Sequence, residues 1–262
     1  MELEMNKLVL YCKSYRNDVY RVKELLASIL LYNHDSIPFY VSVPESDIEI
    51  FRQIVGTADY ILVTDESIDP TNQGWLGQQI VKSQFWKLGV CENYVCIDSD
   101  SIFIKSFYIK DFMFNENTPY TICHEHRELF EFMDRHPMHF DPYDGYVADR
   151  LSIMDFFQRA GVVYDFGPSP VIWSSAVWKS LHEQYLQPNN LKFIDLLNTI
   201  PSEFTWYGEW LLHDKTIPIY PRGPLFKVYH YQSQHEYDKH YKIDNSKLSR
   251  YYLGIILQSN WN

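Results

Sequence analysis

Tyr94-Val-Cys-Ile-Asp98-Ser-Asp100-Ser-Ile-Phe-Ile104 sets two carboxylates, one residue apart, at the end of an apolar run. Such a run bounded by polar turns reads as a buried strand, and carboxylates at its carboxyl end emerge where open α/β sheets bind ligands. Val95, Cys96 and Ile97 lead into the pair and Ile102, Phe103 and Ile104 lead out, so neither flank brings solvating charge. Carboxylates held this close to a core repel one another and lose hydration, and a cation is their natural counter-charge. Hard oxygen ligands suit Mg²⁺ or Mn²⁺, which in turn hold nucleotide phosphates. An Asp-x-Asp in a random setting serves a turn or caps a helix; here the apolar context points to a metal-dependent nucleotide-sugar site.

Working outward, Lys7 to Cys12 is a short β-rich run, followed by the polar loop Lys13 to Asp18 and a helical pattern through Val22, Leu25, Leu26, Ile29 and Leu30. Phe39 to Val43 and Tyr60 to Val63 repeat the strand pattern, with Pro44-Glu-Ser-Asp47 as a helix entry between them, and Gln78 to Leu88 reads as helical. Strands alternating with helices predict a parallel sheet of β-α-β units. Beyond Lys105 the regularity decays. Tyr120 to Cys123 suits a strand, Asp149 to Ala160 a helix stopped by Gly161, and Gly167-Pro-Ser-Pro170 breaks the chain before Val171-Ile-Trp173. No repeat or long linker divides residues 1–262, which read as one domain with a nucleotide-sugar half (about 1–110) and an acceptor half (about 111–262).

The net charge of −11, without a block of like charge, argues against a nucleic-acid binder. Aromatic residues make up 17%, including 21 Tyr and 7 Trp; sugars stack on such rings, and cores are filled by them too. Cys12, Cys91, Cys96 and Cys123 lack CxxC spacing and read as reduced thiols. No secretory signal and no apolar span long enough for a bilayer is evident, so the expectation is a cytoplasmic protein, compatible with peripheral work at a membrane where an acceptor is assembled.

Five segments come in a recognisable order: Gly74-Trp-Leu-Gly-Gln78-Gln79-Ile-Val-Lys82, Asp98-Ser-Asp100, Gly167-Pro-Ser-Pro170 with Trp173, Ser202-Glu203-Phe-Thr-Trp206-Tyr207-Gly208, and Tyr229-His230-Tyr231. Together they resemble a family of bacterial and viral proteins from polysaccharide gene clusters that look like GT-A-fold glycosyltransferases of unassigned sugar specificity. The resemblance covers roughly residues 7 to 235. It implies an α/β fold, with a GT-A-like, Rossmann-type central mixed sheet flanked by helices. It also implies a divalent cation, Mn²⁺ or Mg²⁺, on Asp-x-Asp, and transfer of a hexosyl or pentosyl group from a UDP- or GDP-linked donor to a hydroxyl of a glycan acceptor in surface-polysaccharide synthesis. Carried over, Asp100 is the primary metal ligand, Asp98 its helper toward ribose or a metal-bound water, and His230 completes the shell.

Each candidate has a plainer alternative. Gln78 and Lys82 share a helix face, which is a solvated face or, with Gln79, a donor-binding one where ammonium meets phosphate. Glu203 is the expected acid–base carboxylate with Glu209 in reserve, while both could simply cap or complement a helix start. Arg16 and Asp18 follow the first strand where GT-A folds grip the nucleotide base and ribose, Tyr11 or Tyr15 could stack on the base, and Asp65 after the third strand has the same standing; loop solvation is the alternative. His230 could equally face solvent or a carbonyl. Trp173, Trp206, Tyr207 and His124, with Glu125, are placed toward the acceptor and sugar. Cys123-His-Glu-His126 invites a zinc reading through its His-x-His, set aside because no Cys or carboxylate partner stands at metal spacing. Rival readings are a haloacid-dehalogenase-type phosphatase with Asp98 as nucleophile, a non-catalytic glycan-binding module, and a nucleotidyltransferase, the last lacking a Gly-rich loop after the first strand.

Overall fold

The computed structural model describes residues 5–70, 74–135 and 142–258. Ten strands form there: β1 (Asn6–Lys13), β2 (Phe39–Val43), β3 (Ile61–Thr64), β4 (Cys91–Cys96), β5 (Ser101–Phe103), β6 (Thr121–Ile122), β7 (Val171–Ser174), β8 (Pro221–Arg222), β9 (Phe226–Tyr229) and β10 (Gly254–Leu257). The main sheet runs β3-β2-β1-β4-β7. Its first four strands are parallel and β7 is antiparallel to β4, so the central sheet is mixed and flanked by helices. The last six residues of β1 and all five of β2 are buried, because helices cover both faces and leave no solvated side to alternate with. One cover is the helix Val19–Tyr32, which buries Val22, Leu25, Leu26 and Ile29 at helical spacing.

Strand order locates the ligand crevice. From β1 the chain steps outward to β2 and β3, then returns through the helix Gly74–Gln84 and inserts β4 on the other side of β1. The order therefore reverses between β1 and β4, where the diverging connections leave a crevice at the carboxyl ends of the strands. Tyr11 pairs with Cys96, and the Ile97 amide donates to the Tyr11 carbonyl at 2.8 Å, which brings Asp98 beside the end of β1.

Past Asp100 the chain leaves the main sheet. β5 pairs antiparallel with β10, and β10 parallel with β9, a small sheet that sequence periodicity did not reveal because its strands are three or four residues long and far apart in the chain. Leu257 faces Tyr229 and donates its amide to the Asp100 carbonyl, so Asp100 and His230 sit at one end of this sheet with β10 between them.

Helix bounds differ from expectation. The Gln78–Leu88 pattern becomes the helix Gly74–Gln84 plus a 3₁₀ turn Phe85–Leu88, ended by left-handed Gly89. The expected Asp149–Ala160 helix starts earlier, as Pro142–Phe156. The helix near Glu209 spans Glu203–Asp214, with the Ser202 side chain accepting from the Thr205 amide as N-cap.

Much of the aromatic surplus is core. Tyr11 stacks on Phe85 at 3.9 Å, Tyr94 meets Trp173 edge-on at 5.8 Å, and Trp173 meets Trp178 at 5.2 Å. The expected acceptor contacts Trp173, Trp206 and Tyr207 are 1%, 1% and 3% exposed, so these rings serve packing and present no face to a sugar. Tyr11, fully enclosed, is likewise unavailable to stack on a base.

Gly208 shows how tightly this region is filled, since a β-carbon there would come within 2.0 Å of the Phe166 ring. Alanine would add about 1 kcal/mol of helix propensity, against overpacking of about 3 kcal/mol for displacing a buried ring. Gly208→Ala is therefore expected to lose about 2 kcal/mol, measured as a lower urea midpoint at unchanged slope.

Candidate functional site

Three distant segments meet at the end of β4 around one ammonium group. Lys82 Nζ lies 2.6 Å from Asp98 Oδ1 and 3.6 Å from Glu203 Oε1. Lys82 and Glu203 are buried, while the Asp98 side chain keeps 36% of its surface open. Lys82 reaches the site because its helix packs across the end of β1, and Glu203 because it opens the Glu203–Asp214 helix. Burial alone would pull the Lys82 pKa down, yet Asp98 and then Glu203 hold it well above the ordinary lysine value. Burial pushes the Glu203 carboxyl up, with Lys82 opposing. Lys82 thus supplies counter-charge to both Asp98 and Glu203.

The Gly167–Pro170 segment closes the crevice from the β7 side. Asp98 donates its amide to Ser169 Oγ at 2.8 Å, fixing the turn that carries the acidic pair. At the end of β1, Lys13 Nζ pairs with Asp65 Oδ2 at 2.8 Å, both buried. Ser14 Oγ and Gln79 Oε1 are buried without a hydrogen-bond partner among the described residues, an arrangement that costs about 1–3 kcal/mol each unless something satisfies them. Gln78 is half-buried, one turn before Lys82.

Other expected residues are engaged elsewhere. Arg16 in the loop after β1 donates from Nε to Asp47 Oδ1 at 2.7 Å, and Asp18 accepts from Arg21 at 2.6 Å. Glu209 is fully buried, and Arg159 grips both its oxygens, through Nε and through Nη2 at 2.7 Å; this structural ion pair removes Glu209 from the candidate bases.

A second cluster, of which the sequence showed only the His-x-His half, lies on the far side of Gly167. His124, His126 and Asp165 bring one donor atom each within 4.8 Å of one another. Asp165 Oδ2 is in short contact with His126 Nδ1 and stands 3.7 Å from His124 Nε2, while Oδ1 accepts from Arg150 at 2.8 Å. His124 Nε2 meets the Gly167 carbonyl at 2.6 Å, and its Nδ1 accepts from the His126 amide at 3.1 Å. Burial raises the Asp165 carboxyl, but the His126 hydrogen bond and Arg150 more than reverse this and hold it far below the ordinary range. The His230 ring lies 5.4 Å from that of His126, and burial, then His126, lowers its pKa to about 4. His124, His126 and His230, with Tyr164, Lys227 and Tyr237, line a cavity of about 610 Å³ that neither Lys82 nor Asp98 borders. The missing carboxylate partner of His-x-His was Asp165, 39 residues along the chain from His126, a separation that no local spacing signals.

Lys82→Met would leave Asp98 and Glu203 facing one another without their shared cation, a loss of about 3 kcal/mol. Adding Glu203→Gln should recover part of it. Urea unfolding of the two single variants and the double variant measures the coupling, and strict additivity would show that the three groups do not act as a unit.

Among curated proteins no sequence matches this chain. Mouse xyloside xylosyltransferase 1, in its apo form, is similar in structure with a TM-score of 0.50 and 9% identity, over 98% of this chain and 99% of that one. At that identity the likeness carries the fold alone, which is of the GT-A type. A family model matches residues 7–247, and the chain belongs to that family, DUF6492, a family of unknown function.

Proposed function

We propose that the chain is a glycosyltransferase that moves a sugar from a nucleotide-sugar donor to a hydroxyl of a glycan acceptor, with a divalent cation on Asp98 and Asp100. The observation that carries this reading is the Lys82–Asp98–Glu203 set, with Lys82 and Glu203 buried and Asp98 partly open, at the strand-order reversal of a GT-A-type fold. The donor set fits a hard cation: both side chains offer oxygens, and Asp98 stays partly open while one of its oxygens holds Lys82. When bound, Mn²⁺ or Mg²⁺ would neutralise the leaving diphosphate. His230 is the proposed third ligand, supported by its place at the same end of the small sheet as Asp100; in this structure its ring packs toward His126.

The chain's own groups do the rest. Lys82 presents a fixed positive charge beside the phosphates while holding Asp98 in register. Ser14 Oγ and Gln79 Oε1 offer hydrogen bonds to donor hydroxyls, and pairing them removes their burial penalty only in the complex. Glu203, whose burial raises its proton affinity, takes the proton of the acceptor hydroxyl as the new glycosidic bond forms. The cavity beyond Gly167, with Tyr164 and Tyr237 on its wall, is the proposed acceptor side.

A thermal-shift screen of UDP- and GDP-sugars with and without Mn²⁺ is expected to show stabilisation by one donor only when the metal is present. Asp100→Ala should abolish that metal-linked shift. Glu203→Gln should leave it nearly intact and lower turnover by about 100-fold. A donor shift indifferent to Mn²⁺ and to Asp100→Ala would remove the acidic pair from the site.

A further inference from the structure

We propose that His124, His126 and Asp165 form a second metal site, for a transition metal of the Zn²⁺ type, in the wall between the acceptor-side cavity and a smaller neighbouring one. Two imidazoles and one carboxylate suit borderline metals such as Zn²⁺ and disfavour Mg²⁺, which prefers an all-oxygen shell. The three donor atoms already lie within 4.8 Å of one another in an enclosed position. Tetrahedral zinc holds such donors roughly 3.4 Å apart, so the cluster closes along its long edges and opens at the short His126–Asp165 contact, where the cation takes the place of the shared proton.

The surroundings have the form of a supporting shell. Arg150 and the Gly167 amide hold Asp165 Oδ1 at 2.8 and 3.3 Å, leaving Oδ2 as the oxygen that faces both imidazoles. Arg150 is itself pinned over the Tyr146 ring at 3.2 Å. His126 adopts a left-handed φ of 54°, which folds its ring back onto Asp165 after β6 has ended. His124 and His126 border the cavity of about 610 Å³ and Asp165 borders the one of about 310 Å³, so an ion between them has a route of entry and room for a further ligand from solvent or substrate.

His124 is the most demanding ligand to recruit, since Nε2 meets the Gly167 carbonyl and Nδ1 accepts the His126 amide. Ligation through Nε2 exchanges the carbonyl for the metal and shifts the ring proton to Nδ1, so the His126 amide gives up its acceptor and the ring must turn away from it. The ligands therefore rank with Asp165 and His126 first and His124 third. This site shares no residue with the Asp98–Asp100 reading and stands or falls separately from it.

The full-length Asp98→Asn/Asp100→Asn chain, stripped with chelator, isolates the cluster for calorimetric titration with Zn²⁺ and for Co²⁺ absorption. One saturable equivalent of Zn²⁺ is expected. His126→Ala in that background should weaken it about 100-fold, His124→Ala less, and Arg150→Gln about 10-fold. The Co²⁺ complex should show the intense visible bands of a low-coordinate site, a readout that needs no variant of the cluster. Absence of saturable micromolar Zn²⁺ binding with a Co²⁺ spectrum like that of the aqua ion, or Zn²⁺ affinity untouched in a folded His126→Ala chain, would overturn the proposal.

Discussion

One buried ammonium organises the crevice. Lys82 stands between Asp98 and Glu203 and links the helix Gly74–Gln84, the end of β4 and the start of the helix Glu203–Asp214. Burying Lys82 and Glu203 beside the partly open Asp98 contributes little net stability, because desolvation offsets most of the Coulomb attraction. What it supplies is geometry: any displacement of one segment strands a charge in the interior. With the neighbouring Lys13–Asp65 pair, the carboxyl edge of the main sheet becomes a row of fixed charges beside an apolar core.

The Gly167–Pro170 segment couples this crevice to the histidine cluster. Ser169 receives the Asp98 amide, the Gly167 carbonyl meets His124, and the Gly167 amide donates to Asp165. Four residues thus touch the acidic turn on one side and the imidazoles on the other. The two clusters are thereby linked through hydrogen bonds to one backbone segment.

Aromatic richness divides between two tasks. Tyr11, Phe85, Tyr94, Trp173, Trp178 and Tyr207 form a packed array beneath the crevice, holding the strands that carry the charges. Tyr164 and Tyr237 line the wall of the cavity beyond Gly167 instead, with Tyr237 55% exposed. Composition could not separate these roles because it counts rings without regard to which faces are covered.

The sequence by itself determined the parallel β-α-β first half, since strands buried on both faces must be apolar throughout and helices between them must be amphipathic. It also determined the acidic strand end at Asp98, since a buried apolar run that stops at two carboxylates must leave the core there. Glu203 and Lys82 were visible as residues, but their convergence on Asp98 was not. Only the tertiary structure decided that Glu209 belongs to Arg159, that Trp173, Trp206 and Tyr207 are core, that β5, β9 and β10 form a separate sheet, and that Asp165 completes the His124–His126 pair. The physical reason is range. Periodicity reports which face of a single segment avoids water, whereas charge pairing and metal-ligand geometry depend on which distant segments the packing brings within a few ångströms.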